Sequence, residues 1–245
     1  MDQLTSAASA LRRDAFCQTG LLVSVRSLEE ANLVAEMGLA ILDLKEPSAG
    51  PLAPVAASVW REVAKAWGER TVLSAAMGEF SDAIEIADAV PPAFSFAKMG
   101  PAGCESTDLL CQRWTAVRGR LPSNVELVAV AYADHEAANC PPPHEVFAAA
   151  LESKMHTWLV DTFEKRGKST IDQLSIEHLS AISKLAIDSR STWAIAGSLK
   201  LAALAYLRTA QLTPHWIGVR GDVCDHARTG RLSKLRVQDW LDALS

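Results

Sequence analysis

The chain has 245 residues, 49% of them hydrophobic, with a net charge of −5 and pI near 5.7, enough apolar side chain for one large core. Charges of both signs are scattered without a basic face, which argues against nucleic acid as the partner while leaving small anions open. No apolar run approaches the ~20 residues of a membrane span, and Arg12-Arg13 precede only the short run Leu21 to Val25, too brief for an export signal, so a soluble, cytoplasmic protein is expected.

In chain order, residues 1–19 read as an N-terminal extension, helical or loose, and residues 20–245 as one catalytic domain. Strand signals fall at Gly20–Val25, Ala40–Leu44, Thr71–Ala75, Phe94–Lys98, Glu126–Ala131, Thr157–Asp161, Thr192–Ala196 and Trp216–Val219. Alanine-rich amphipathic stretches alternate with them near 27–37, 54–67, 81–89, 106–119, 143–153, 171–184, 199–210 and 233–244. Ser27 followed by Glu30 gives a capping box at the first helix. Residues 134–143, DHEAANCPPP, read as a loop after the fifth strand. Eight strands and eight helices about 30 residues apart, several strands apolar on both faces, predict a single-domain α/β (βα)8 TIM barrel. The competing open doubly wound sheet lacks its Gly-rich turn, because Val23-Ser24-Val25-Arg26-Ser27 stands where GxGxxG belongs.

Barrel chemistry sits at the C-terminal strand ends. Strand 2 ends on Asp43 and Lys45, which share a face; strand 4 ends on Lys98; strand 6 ends on Asp161, with Lys165 just beyond. Strands 2, 4 and 6 are alternate strands, so three lysines and two aspartates are placed to converge over one mouth. An ordinary lysine, with a pKa near 10.4, is neutral roughly once in 2,500 at pH 7. Crowded ammonium groups and desolvation lower that pKa and make a Schiff-base nucleophile. A lone strand-end lysine is more often a solvated cap; three, two of them beside aspartates, are not. Ala196-Gly197-Ser198-Leu199 sits at the end of strand 7 and Gly218-Val219-Arg220-Gly221 ends strand 8, leading into the loops where barrels commonly hold phosphate. Ser74-Ala75-Ala76-Met77-Gly78-Glu79 ends strand 3, and Ser74 or Glu79 is a weaker candidate for the pocket.

Other features carry less. Cys224-Asp225-His226 are adjacent in sequence, which rarely lets three side chains converge. Five cysteines, Cys17, Cys104, Cys111, Cys140 and Cys224, contain no CxxC and read as reduced thiols. Six histidines show no HExxH or paired spacing, so no metal is expected. Seven tryptophans, Trp60, Trp67, Trp114, Trp158, Trp193, Trp216 and Trp240, read as core or interface.

Taken together, Leu21-Leu22-Val23-Ser24, DLKEPSAGPLAP, SAAMGE, FAKMG, LVDTFEKRGKS, AIAGSLK and GVRGDVC followed by Arg228-Thr229-Gly230 resemble the (5-formylfuran-3-yl)methyl phosphate synthase family of methanofuran biosynthesis, found in methanogens and some methylotrophic bacteria. The resemblance spans residues 20 to 237. It departs at Pro51 and Ala53-Pro54 in a usually Gly-rich turn, at Glu46 in place of Asn, and in a glycine-poor loop after Cys224. It implies a lyase that condenses two glyceraldehyde 3-phosphate molecules through a lysine Schiff base, with loss of phosphate and water and without cofactor. By motif match, Lys165 is the Schiff-base lysine and Lys45 the general acid/base, an assignment open to exchange between the two. Asp43 and Asp161 orient lysines or move protons, and Lys98 binds phosphate or lowers neighbouring pKa values. Ser24, Gly197, Ser198, Gly218, Arg220 and Gly221 contact the substrate or its phosphate. The partner is thus a small phosphorylated substrate, and a homo-oligomer is expected, the outer tryptophans permitting association. Competing readings are another class I aldolase acting on a phosphorylated sugar and a non-catalytic sensor of a phosphate ligand.

Overall fold

The computed structural model describes residues 19–165 and 167–245; apart from Thr19, the expected N-terminal extension lies outside the described residues. Eight parallel strands, β1 (Gly20–Val25), β2 (Ile41–Leu44), β3 (Leu73–Ala76), β4 (Phe96–Met99), β5 (Glu126–Tyr132), β6 (Thr157–Asp161), β7 (Thr192–Ile195) and β8 (Trp216–Val219), pair in sequence order. β8 pairs back onto β1, with Leu22 opposite Gly218, so the sheet closes and no edge remains. The predicted (βα)8 barrel is the fold.

Alternation along each strand divides the core in two. Leu22, Ile41, Phe96, Val128, Val130, Leu159, Ala194 and Trp216 point inward and fill the barrel. Their neighbours Leu21, Val23, Leu42, Leu44, Ala97, Ala129, Val160 and Ile217 point outward against the helices. Trp216 closes the lower interior, its ring 5.8 Å from that of Phe96. All seven tryptophans are buried in this chain, none more than 7% exposed. They are core, and they supply no exposed patch for association.

The helices differ from expectation where local hydrogen bonding intervenes. The stretch predicted as one helix over 171–184 is two, Thr170–Gln173 and Ile176–Asp188. Leu174 turns extended, and the Ser175 hydroxyl then caps a new helix by accepting from His178 N–H. The helix expected from 199 begins at Ala203. At the first helix Ser27 accepts from Glu30 N–H at 3.2 Å, but the reciprocal half of the capping box is displaced: the Glu30 carboxylate accepts from Arg26 N–H at 2.9 Å and from Arg220, described below. No helix among the described residues is long and apolar enough to cross a membrane.

Because Trp216 fills the barrel floor, Trp216→Ala is expected to destabilise the fold by about 3–5 kcal/mol, read as a lower urea midpoint with an unchanged m-value; a midpoint equal to wild type contradicts the packing role.

Candidate active site

The inward faces of β2, β4 and β6 end in charge, and that of β1 ends in Ser24. Asp43 is opposite Ser24 on one side and Ser74 on the other. It accepts a hydrogen bond from Ser24 Oγ at 2.9 Å, and its other oxygen lies 2.6 Å from Lys98 Nζ. That oxygen meets no donor in hydrogen-bonding alignment, so the contact is an ion pair rather than a directed bond. Asp161 closes β6 and holds Lys165 Nζ at 2.5 Å, which also donates to Thr162 Oγ1 at 3.3 Å. Lys45 follows β2, its N–H bonded to Val25 O at 3.0 Å. Asp43, Lys98, Asp161 and Lys45 are all buried. The five residues predicted to converge do so, around a cleft of about 600 Å³.

The lysines are not equivalent. Lys98 and Lys165 each face a carboxylate, whereas the Lys45 side chain has none within 4.0 Å among the described residues. Burial pushes its pKa down to about 8; Asp161 and Asp43 oppose the shift, and Lys165 and Lys98 reinforce it. Burial also lowers Lys165, against the pull of Asp161. Burial would raise Asp161, but Lys165, Lys45 and two hydrogen bonds outweigh it, and its carboxyl lies below the ordinary range.

Two supports were not legible in the sequence. Asp134, in the loop after β5, accepts from Phe163 N–H at 2.7 Å and Glu164 N–H at 2.8 Å. It thereby fixes the turn that swings Lys165 back over Asp161. Tyr132 ends β5 opposite Asp161 and donates to Glu79 Oε1 at 2.8 Å, while Ala102 N–H donates to Oε2 at 3.3 Å. Burial raises the Glu79 pKa to about 7 despite those bonds. Neither Glu79 nor Ser74 lines the cleft: Ser74 faces a small void in the barrel interior.

The other wall comprises the turns after β7 and β8. Gly197 and Ser198 both adopt left-handed backbone, φ +89° and +53°. A Cβ on Gly197 would lie 2.2 Å from Thr170 Oγ1, so only glycine fits. The amides of Gly197, Ser198, Leu199 and Gly221 have no acceptor among the described residues, and all four residues line the cleft together with Gly218. Successive unpaired amides around left-handed turns form an anion-binding concavity.

Arg220 departs from its expected role. Its Nη1 donates to Ser24 O at 3.0 Å and to Glu30 Oε2; Nη2 donates to Glu30 Oε1 at 3.0 Å and Gly230 O at 3.2 Å; Nε donates to Arg228 O at 2.8 Å. All five N–H groups are engaged by protein acceptors, so Arg220 anchors a loop and has no donor left for phosphate. Cys224-Asp225-His226 form no nucleophile set: Cys224 is buried, with a thiol that burial pushes up, and His226 is exposed at φ +64°.

Residues 21–241 match the 4-HFC-P synthase family. The chain is 32% identical over 213 residues to the (5-formylfuran-3-yl)methyl phosphate synthase of Methanosarcina acetivorans, covering 83% of this chain and 90% of that one. It is 30% identical over 226 residues to the protein of the same name from Methanosarcina barkeri, covering 89% and 96%. Among solved structures it is similar to KGPDC from Streptococcus mutans, with a TM-score of 0.63, 10% identity, and coverage of 92% and 97%. It is also similar to phosphoribosyl anthranilate isomerase from Thermococcus kodakaraensis, with a TM-score of 0.59, 14% identity, and coverage of 92% and 98%. At such identities the structural likeness shows the barrel alone.

The raised Glu79 carboxyl has a stability consequence. A group whose folded pKa exceeds its unfolded value of 4.5 stabilises fully below 4.5 and loses that contribution as pH rises through about 7. Glu79→Gln, which mimics the protonated form, is therefore expected to melt above wild type at pH 8, with the gap closing between pH 7 and 4.5. A pH-independent gap contradicts the burial of an ionising Glu79.

Proposed function

The chain belongs to the 4-HFC-P synthase family, and from that premise we propose that it condenses two glyceraldehyde 3-phosphate molecules into (5-formylfuran-3-yl)methyl phosphate, for methanofuran-type cofactor synthesis, through a Schiff base on Lys45. The single observation that carries this assignment is the isolation of Lys45. It is the one member of the lysine trio without a carboxylate in ion-pair range among the described residues, and its pKa of about 8 leaves roughly one molecule in ten neutral at pH 7, against one in 2,500 for an ordinary lysine. The roles implied by resemblance, Lys165 as anchor and Lys45 as proton carrier, are thus exchanged.

In this reading the Lys45 amine adds to the aldehyde of the first molecule and expels water as an iminium forms. The iminium nitrogen is the electron sink for loss of the neighbouring C–H proton. The Asp161 carboxylate, held beside Lys165, takes it and returns it. The resulting enamine carbon attacks the second aldehyde. Expulsion of one phosphate and a net two waters aromatises the ring, and hydrolysis frees Lys45; two triose phosphates minus phosphoric acid and two waters equal the product atom for atom. Lys98 is held beside the nucleophile by Asp43, which Ser24 in turn hydrogen-bonds. The amides of Gly197, Ser198 and Gly221, with Gly218 giving close backbone approach, hold a phosphate.

Incubation with glyceraldehyde 3-phosphate alone is expected to release inorganic phosphate and a furan chromophore in equal amounts. An aldol adduct without phosphate release would instead indicate another class I aldolase, and absence of any borohydride-trapped adduct a ligand sensor. Trapping followed by peptide mapping is expected to mark Lys45, with yield rising through about pH 8, and Lys45→Ala to lower turnover by roughly 10³-fold or more. An adduct on Lys165 would reverse the assignment.

A further inference from the structure

Among the described residues, Arg228 combines spare donors with a place on the cleft wall. It lies in the loop between the turn Gly221–Val223 and Leu232, which pairs with Cys224. That loop is held by other arginines. Arg220 takes the carbonyls of Arg228 and Gly230, and Arg26 Nη1 takes Thr229 O at 3.0 Å. Glu30 fastens both arginines to the first helix. Gly230 is needed for closure, since a Cβ there would lie 1.9 Å from Asp225 O. The Arg228 side chain crosses from the β8 loop to the β2 loop, where Nη2 donates to Gly50 O at 2.8 Å.

That is its one hydrogen bond among the described residues, and no carboxylate lies within ion-pair range of it there. The charged groups that act on it are Asp161 and Glu46, which favour its charge, and Arg220 and Lys165, which oppose it. A half-buried guanidinium with spare donors, on a rigid backbone and facing a cleft, is a ligand for an anion. The amide cradle after β7 already provides one phosphate site, and Arg228 reaches away from it toward β2.

We infer that Arg228 forms a second anion subsite, which binds the phosphate of the acceptor aldehyde while the first molecule is bound to the lysine. This rests on the condensation reading above. It assigns the two phosphates of one substrate species to different donors, the amide cradle and the Arg228 guanidinium, and it explains why the loop is fastened so heavily around a residue whose side chain makes no hydrogen bond or ion pair to another side chain among the described residues.

The test compares wild type with Arg228→Ala and Arg228→Lys over a range of glyceraldehyde 3-phosphate concentrations, measuring borohydride-trapped adduct and furan product in parallel. In Arg228→Ala the concentration that half-saturates trapping should stay within about twofold of wild type, while that for product formation rises about tenfold or more. Arg228→Lys, which keeps charge without the fork, should fall between. Thermal melting of each variant checks the fold; should the alanine variant fail to fold, the lysine variant carries the comparison. Unchanged product kinetics make Arg228 a mere strap, and a joint shift of trapping and product places it on the first molecule; either result overturns the subsite. Absence of trapping and product in wild type would instead defeat the condensation reading itself.

Discussion

Desolvation of Lys45 is the constraint on which the rest of the site depends. Moving an ammonium out of water is costly, and a protein ordinarily offsets the cost with a carboxylate in contact. Here two aspartates lie in the same mouth, and each is committed elsewhere, Asp43 to Lys98 and Ser24, Asp161 to Lys165 and the Thr162 amide. They act on Lys45 only at longer range, so burial wins and the amine is neutral far more often than an ordinary lysine. Buried ion pairs of this kind contribute little net stability. Their arrangement is better understood as a device that withholds a partner from one lysine.

The barrel makes that device possible. Parallel strands with period-two alternation bring the ends of β2, β4 and β6 to one layer, and the outward residues of the same strands supply the packing that holds them. The turns after β7 and β8 contribute amides at the opposite wall, and the loop that follows β8 adds the Arg228 guanidinium. Around this runs a ring of loop fastenings: Asp134 on the turn carrying Lys165, and Arg220, Arg26 and Glu30 on the loop carrying Arg228. The clustered lysines and aspartates are thereby separated from the groups that hold the surrounding loops.

Much of this was legible in the sequence. The eight strands were visible as short apolar runs, and Asp43, Lys45, Lys98, Asp161 and Lys165 were visible because a strand end fixes both position and face. What escaped were partnerships across long sequence separations. Arg220 reads as a phosphate ligand from its glycine neighbours; only the fold shows that Glu30, 190 positions away, claims it. Tyr132 sits at the end of an alanine-rich strand without a charged neighbour, and Asp134 in a stretch that reads as irregular loop. The split after Leu174 was missed because helical periodicity persists across it while Ser175 restarts the hydrogen bonding.

The central claim, that Lys45 carries a depressed pKa in the resting protein, is open to direct measurement. Protein labelled with ¹³C at the lysine ε-carbons, with the Lys45 resonance assigned through Lys45→Arg, should show that resonance titrating near pH 8. Titration at the ordinary lysine value near 10.4 would contradict the account.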